Sequence, residues 1–210
     1  TKDENFGHRN ANGTGPFMLK SWEQDVKLVL VKNPAWWGKA EGNVTEIVYT
    51  PIKAEATRVA ALLSGEVDMV LDPSPADLVK LRSAPNLKVI DGAENRTIFF
   101  GLDQFRDELP GSNVKGKNPL KDARVRKALY QAIDIQTISR VTMRGLSQPT
   151  GALISPQVNG WTKKADARWP YDAEASKKLL AEAGYPQGFE VDFACPNNRY
   201  ISDEEICQAV

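Results

Sequence analysis

The sequence of 210 residues contains only one histidine and two cysteines, has no long apolar run and carries no net charge. Because 27 Lys+Arg balance 27 Asp+Glu, no basic excess points to nucleic acid or to an anionic membrane. The longest purely apolar stretch, residues 59–63, is far shorter than the ~20 residues that a membrane-spanning helix needs. We therefore expect no nucleic-acid partner and no membrane insertion.

Groups suited to catalysis are also scarce. Acid–base and nucleophilic catalysis usually recruits histidine, a cysteine beside a base, or convergent carboxylates. The single histidine, His8, lies in a polar N-terminal segment. The Gly-Thr-Gly-Pro run at residues 13–16 lacks the lysine of a phosphate-binding loop, and the acidic pairs at 107–108 and 204–205 fit a solvated loop and a first helical turn. We predict that the protein is not an enzyme and needs no cofactor or metal.

Cys195 and Cys207 lie 12 positions apart and match no metal-ligand spacing. In an oxidising compartment the two thiols would pair, provided that their Cα atoms lie ~4.4 to 6.8 Å apart. In a reducing compartment they would behave as small buried apolar side chains. The sequence leaves both alternatives open.

In the first half, apolar and polar runs predict strands and helices in alternation. The predicted strands cover residues 17–22, 26–31, 44–52, 67–71, 87–90 and 97–102. The first two form a hairpin around a polar turn. A helix over 54–64 joins the third and fourth strands, which is the order of a parallel βαβ unit. A second helix opens at Ser74 and Pro75, which fit an N-cap and a first-turn proline.

A polar stretch over 104–118 is the predicted domain boundary, and the second half follows a different pattern. Asp122 caps a helix whose apolar side chains recur at helical spacing from Val125 onward. Asp172 caps a second such helix. The segment 145–168 between them is a loop of a length that is usually functional.

Arg199 is the strongest candidate for a binding residue. It lies between an alternating apolar strand predicted over 189–193 and a helix start at Ser202, which forms a capping box with Glu205. Ligands of α/β folds bind beyond the carboxyl ends of strands, and a guanidinium presents a planar fork that matches a carboxylate. Tyr200 would supply a stacking or hydrogen-bonding wall. The alternative is that Arg199 and Tyr200 are ordinary surface residues.

Trp36 and Trp37 invite a second interpretation. Adjacent tryptophans that follow a strand and a proline can stack on a carbohydrate, or they can close one face of a domain. Residue chemistry alone does not separate these two roles.

Six motifs occur in the order in which one known family carries them. They are Asn-Gly-Thr-Gly-Pro-Phe (12–17), Asn-Pro-Ala-Trp-Trp-Gly (33–38), Ala-Leu-Leu-Ser-Gly-Glu-Val-Asp-Met-Val (61–70), Asp-Ala-Arg-Val-Arg-Lys-Ala-Leu (122–129) with Ala-Ile-Asp (132–134), Pro-Tyr-Asp (170–172), and Leu-Ala-Glu-Ala-Gly-Tyr-Pro (180–186) with Gly-Phe (188–189). In these motifs the chain resembles the extracellular solute-binding proteins of family 5, the peptide- and nickel-type binding components of ABC importers.

This resemblance implies an α/β, periplasmic-binding-protein-like type II fold with two lobes, of which the chain would hold an incomplete part. Residues 1–104 would belong to the first lobe, and residues 105–210 would form the first half of the second, C-terminal lobe. The first residue is Thr1 rather than Met, and the last segment stops as a helix begins, so we expect a piece of a longer protein.

The resemblance also implies a function. We expect a monomer in the periplasm, or one anchored outside a Gram-positive cell, that captures peptides or similar small solutes between its lobes. It would deliver them to the permease subunits of an ABC transporter. A sugar or opine receptor on the same fold is the alternative within binding proteins. A hydrolase or transferase and a purely structural interaction module are the alternatives from other classes.

For site residues, the resemblance points to Arg199. Dipeptide-binding relatives carry an arginine, shortly after a strand in the second lobe, that pairs with the peptide carboxylate, and Arg199 resembles it. Phe99 and Phe100 would reach the cleft from the strand that leads to the hinge. As strand residues they would alternatively lie in the core on at least one face.

Overall fold

A computed structural model of the chain describes residues 10–39, 41–197 and 199–210. His8 lies outside these ranges, so its lack of a catalytic role stays a prediction. Contacts within the chain divide it into two units, Thr1–Val70 and Leu71–Val210. The lobe boundary predicted at residue 104 stays a prediction, because it concerns the lobes of a longer protein rather than these units.

A three-stranded antiparallel sheet organises the first unit. Strand β1 (Phe17–Glu23) pairs with β2 (Lys27–Lys32), and β2 pairs with β3 (Glu46–Tyr49). Asp25 in the hairpin turn has a φ of 59°, a left-handed conformation that aspartate tolerates better than most residues. The predicted hairpin is confirmed, and the third strand is shorter than the predicted range of 44–52.

Helix α1 (Glu55–Ser64) follows the sheet, as predicted, and buries Val59 and Ala61. Gly65 ends it with a φ of 77°, a left-handed conformation that glycine adopts without a steric penalty. The strand predicted over 67–71 is wrong, and with it the βαβ unit. The amides of Glu66 and Val67 both donate to the Ala61 carbonyl, so this segment caps the helix and does not extend into a strand.

In the second unit, helix α2 (Leu78–Ser83) buries Leu78 and Leu81. It begins after the predicted start, because the Ser74 hydroxyl accepts a hydrogen bond from the Ala76 amide within a preceding turn. The strands predicted over 87–90 and 97–102 are wrong. No described strand pairs with them, and the Thr97 hydroxyl donates to the Leu153 carbonyl at 3.1 Å instead.

A pair of helices forms the buried centre of the second unit. Helix α3 (Ala123–Ala132) follows a 3-10 turn at Pro119–Lys121, and helix α5 (Ala173–Glu182) packs against it. Both predicted caps are confirmed: the Asp122 carboxylate accepts from the Arg124 amide, and the Asp172 carboxylate accepts from the Ala175 amide. The two predicted helices are therefore confirmed. The predicted apolar stripe is buried in α3 at Val125 and Ala128, whereas in α5 the buried residue is Ser176 and the predicted apolar positions are only partly buried.

Between these helices lie a short helix α4 (Ile135–Thr137), a π-helical turn (Ile138–Thr142) and the predicted long loop. The loop is held internally by Asp166, whose carboxylate accepts from the Thr150 hydroxyl and from the Gly151 amide. These two hydrogen bonds, the first above all, lower the pKa of Asp166. The loop therefore has fixed internal contacts although it contains no helix or strand from residue 145 to residue 168.

Helix α6 (Asp203–Gln208) is the last element. The strand predicted over 189–193 is wrong, because this segment makes only one isolated bridge, between Val191 and Ser112. The predicted capping box is also wrong. Ser202 makes no side-chain cap and adopts a left-handed conformation, with φ 53° and ψ 31°.

Candidate functional site

Arg199 and Tyr200 lie on a four-residue turn, residues 199–202, that leads into α6; we call it the arginine turn. The carboxylate of Asp203, the first residue of α6, fixes its backbone. Oδ2 of Asp203 accepts hydrogen bonds from the backbone amides of Arg199 at 2.7 Å and Tyr200 at 3.2 Å. The other oxygen accepts from the Glu204 amide at 2.9 Å. Because Asp203 is only 4% exposed, solvent competes little with these bonds.

A disulfide closes the same region. Cys195 is bonded to Cys207, and their Cα atoms lie 6.2 Å apart, within the range that disulfides require. The bond ties the segment before the arginine turn to α6 after it. Of the two states that the sequence leaves open, the structure contains the paired one.

The side chains of the arginine turn differ in burial. Arg199 is exposed, and within the described part of the chain its guanidinium has no hydrogen-bond or ion-pair partner. Tyr200 is half-buried. Burial, and to a lesser extent the nearby Asp203 carboxylate, raises the pKa of the Tyr200 phenol. At neutral pH the turn therefore presents a free cation beside a protonated hydroxyl that can donate a hydrogen bond.

Phe99 and Phe100 are exposed, so neither is a core residue of the described structure. The Phe100 ring meets the Phe193 ring edge to face, with 5.2 Å between centroids. Phe193 lies two residues before Cys195, so this contact brings Phe100 to the segment that leads into the arginine turn. Phe99 is 64% exposed and its ring makes no aromatic pair with the described residues.

Each unit contains a concavity. In the second unit, a cleft of about 310 Å³ lies beside Arg168, Trp169 and Tyr171. Its tryptophan is fixed by the Tyr130 ring at 5.4 Å and by the Lys127 ammonium at 5.1 Å.

In the first unit, a concavity of about 510 Å³ is lined by Phe17, Trp36 and Ile47 among others. The neighbouring Trp37 is 85% exposed, with its ring centroid 5.6 Å from that of Trp36. An exposed ring of this kind leaves stacking on a solute available and does not close a face within the first unit.

Among the residues that the structure describes, no group of three or more histidine, cysteine, aspartate or glutamate side chains is arranged to hold a metal ion. Over the same ranges, no helix combines the length and apolar character that crossing a bilayer requires.

Asp203 and Phe193 escape prediction from the sequence. Asp203 is one of three acidic residues in the first turn of α6, where acidic residues are favoured by the helix dipole whatever else they do. Nothing in that pattern distinguishes a carboxylate that faces solvent from one that turns back to the preceding amides. Phe193 is predicted only as a strand residue, and its pairing with Phe100 depends on a fold that brings distant segments together.

An exposed cation on a turn that is held by hydrogen bonds and enclosed by a disulfide is compatible with a protein that binds a small solute. The comparison with known families agrees with this class. The model of the bacterial extracellular solute-binding proteins, family 5, middle region, matches residues 1–210, and the chain belongs to this family.

Individual relatives of the chain are named as binding proteins. Heme-binding protein A of Haemophilus influenzae is 31% identical over 182 residues, which cover 86% of this chain and 31% of that protein. A glutathione-binding protein of Salmonella choleraesuis is 26% identical over 194 residues, covering 92% of this chain and 35% of that protein. The chain thus spans about a third of the length of the curated relatives it matches.

A solved structure supports the fold. The ABC transporter-associated periplasmic binding protein DppA from Helicobacter pylori, in complex with the peptide STSA, matches with a TM-score of 0.65 at 27% identity. The match covers 84% of this chain and 32% of that one. The predicted fold class is confirmed: the chain forms part of a periplasmic-binding-protein fold of type II.

Proposed function

We propose that this chain belongs to the substrate-binding component of an ABC importer, which captures peptides or similar small solutes between two lobes and passes them to membrane permease subunits. The protein would work in the periplasm or outside the cell and would bind without chemical conversion. The observation that carries the proposal is the exposed guanidinium of Arg199, which has no partner among the described residues, on a turn whose backbone is held by the Asp203 carboxylate and enclosed by the disulfide.

The ligands named for the relatives share one chemical group. Heme, glutathione and peptides differ in size and shape, but each carries at least one carboxylate. A guanidinium binds a carboxylate through two parallel hydrogen bonds, and this pairing is stronger than a bond between neutral groups. Arg199 would therefore hold the carboxylate, and the Tyr200 hydroxyl would donate a further hydrogen bond.

The exposed rings give the ligand an apolar surface. We propose that Phe99 and Phe100 contact apolar side chains of the ligand, because both rings are accessible and aromatic contacts tolerate different side chains. On this proposal the arginine turn recognises the feature that all ligands share, and the phenylalanines accommodate the features that vary.

The test uses the full-length protein and a library of synthetic di- to pentapeptides with free C termini. Native mass spectrometry would identify the peptides retained, and the tightest would then be titrated as the free acid and as the C-terminal amide. We expect Arg199→Ala to weaken binding of the free acid by about 1.5 to 3 kcal/mol, or roughly 10- to 150-fold. Binding of the amide should change little.

Arg82→Ala is the matched control, because Arg82 is also an exposed arginine but is paired with Asp91 at 2.9 Å on the surface of α2. It should leave both affinities unchanged. Equal binding of acid and amide by the unmodified protein would reject the carboxylate contact. Retention of a sugar or an opine in place of any peptide would reject peptides as the ligand class and keep the fold.

A further inference from the structure

The carboxylate of Asp203 differs from those that cap α3 and α5. Asp122 and Asp172 accept hydrogen bonds from amides that follow them, in the first turns of these helices. One oxygen of Asp203 accepts from the following Glu204 amide, but the other accepts from the amides of Arg199 and Tyr200, which precede Asp203 by four and three residues. Its side chain therefore orders the turn before the helix and does not merely complete the helix end.

Two further features act on the same few residues. Ser202 adopts a left-handed conformation, which is uncommon for a residue other than glycine and persists where surrounding contacts determine it. The left-handed conformation of Ser202 occurs together with the hydrogen bonds between the Asp203 carboxylate and the amides that precede it. The disulfide between Cys195 and Cys207 encloses the turn and fixes the segments on both sides of it.

We infer that Asp203 is a positioning residue, which holds the arginine turn in the one backbone conformation that directs Arg199 and Tyr200 at the ligand carboxylate. This inference rests on the function proposed above. Because Asp203 is buried, we expect it to make no direct contact with a ligand. It would act through the backbone amides that donate hydrogen bonds to its carboxylate. Carboxylate selectivity would then depend on a side chain that the ligand never touches.

The size of the effect follows from the population of the ordered turn. If only a fraction of molecules holds the turn in the competent conformation, the apparent affinity falls by that fraction. Loss of the two hydrogen bonds from a turn that is otherwise mostly exposed should leave about a third to a tenth of the molecules competent. We therefore expect Asp203→Ala to lower the affinity ratio of free acid to amide by about three- to tenfold.

The experiment measures this ratio in the full-length protein, with the tightest synthetic peptide and its C-terminal amide as probes. Hydrogen exchange of the Arg199 and Tyr200 amides is measured in the same variants. Asp203→Asn keeps an oxygen that can accept from both amides and should retain most of the ratio and of the protection. The side chain of Asp203→Ser is too short to reach the two amides, so this variant should behave like Asp203→Ala. It replaces the alanine variant in the test if that variant does not fold.

Asp172→Ala is the matched control. It also removes a carboxylate at a helix start, one that accepts a hydrogen bond from a backbone amide at 2.9 Å, but this carboxylate caps α5 and lies outside the arginine turn. It should lower stability without changing the ratio. A fall in the ratio for Asp203→Ala and Asp203→Ser, with faster exchange at Arg199 and Tyr200, would support the inference. If Arg199→Ala abolishes the ratio while the Asp203 variants keep it, the inference is overturned and the proposed function stands. If Arg199→Ala itself leaves the ratio unchanged, both are overturned.

Discussion

Two regions of the second unit are held together by different kinds of contact. One is the pair formed by α3 and α5, and the other is the stretch from residue 189 to the end of the arginine turn. In the helix pair, Val125 and Ala128 are fully buried, and the buried Ser176 hydroxyl donates to the Ala128 carbonyl at 2.7 Å. Among the described residues of the later stretch, most side chains are exposed and no helix or strand occurs. These residues are held by separate local contacts: the Asp203 carboxylate, the disulfide, the Phe100–Phe193 ring pair and hydrogen bonds of residues 190 and 192 to the segment 111–113.

The difference predicts where stability and specificity reside in this chain. Burial of apolar surface is additive over many contacts, so the helix pair supplies stability that no single surface change removes. The arginine turn is held by few contacts, so one change can release it while the remainder stays folded. We therefore expect substitutions in the helix pair to act on unfolding, and substitutions around the turn to act on local order and on binding.

The largest effect is expected from Val125→Asp, which places a carboxylate at a fully buried position of α3. An uncompensated buried charge typically costs about 3 to 5 kcal/mol. Urea unfolding of the full-length protein, followed by circular dichroism, measures the loss. Val141→Asp introduces the same side chain at a position that is 62% exposed and should change stability by less than about 0.5 kcal/mol. Equal losses for the two variants would contradict the assignment of the core.

The disulfide should have a smaller and more local effect. A cross-link between positions 12 apart restricts the unfolded chain by up to roughly 3 kcal/mol, and it opposes every opening in which the two cysteines would separate. We expect reduction to speed hydrogen exchange in the arginine turn and α6 and to leave the amides of α3 unchanged.

The control for reduction is the double variant Cys195→Ser/Cys207→Ser, which should exchange like the reduced protein and should not respond to reductant. Faster exchange throughout α3 after reduction would show that the two regions unfold together, and the contrast between them would fail.

The sequence predicts elements whose order is determined locally. Asp122 and Asp172 each precede an apolar stripe at helical spacing, and both helices occur where these two signals coincide. The first hairpin is predicted for the same reason, because its polar turn lies between two adjacent runs that pair with each other. The long loop is predicted from its lack of periodicity.

The four strands that do not occur have a common cause. Apolar runs at 67–71, 87–90 and 97–102, and alternating apolar residues at 189–193, satisfy the local pattern of a strand, but a strand also needs a partner that is distant in sequence. Within the described residues, none of these segments finds one, apart from the single bridge of Val191. The local sequence pattern therefore predicts too many strands where the pairing strand would not be adjacent in sequence.

The site divides in the same manner. Residue chemistry and the resemblance to a family both single out Arg199 as a candidate, and its role stays a prediction until binding is measured. Asp203 is not recognisable, because its role depends on a backward hydrogen bond that the left-handed Ser202 accompanies. A left-handed serine has no sequence signature, so the element that orders the site is visible only in the structure.

The smallest effect is expected from pH, and it belongs to the helix pair. Hydrogen bonds from the Arg124 side chain and then from the Arg124 amide lower the pKa of Asp122. Since the pKa is lower in the folded state than in the unfolded chain, where it is about 3.9, the contribution is complete above that value. It is lost as the pH falls through the folded-state pKa.

Asp122→Asn separates this charge from the cap, because asparagine caps a helix about as well as aspartate. We expect the free energy of unfolding of this variant to be slightly lower than that of the unmodified protein at pH 7, where the contact of the charge with Arg124 is lost, and we expect the difference to disappear as the pH falls below about 4. Urea unfolding at a series of pH values measures both slopes, with Asp68→Asn at an exposed position as the control. Parallel slopes for Asp122→Asn and the unmodified protein would mean that solvent screens the contact with Arg124. The acid sensitivity of the helix pair would then have to come from other carboxylates.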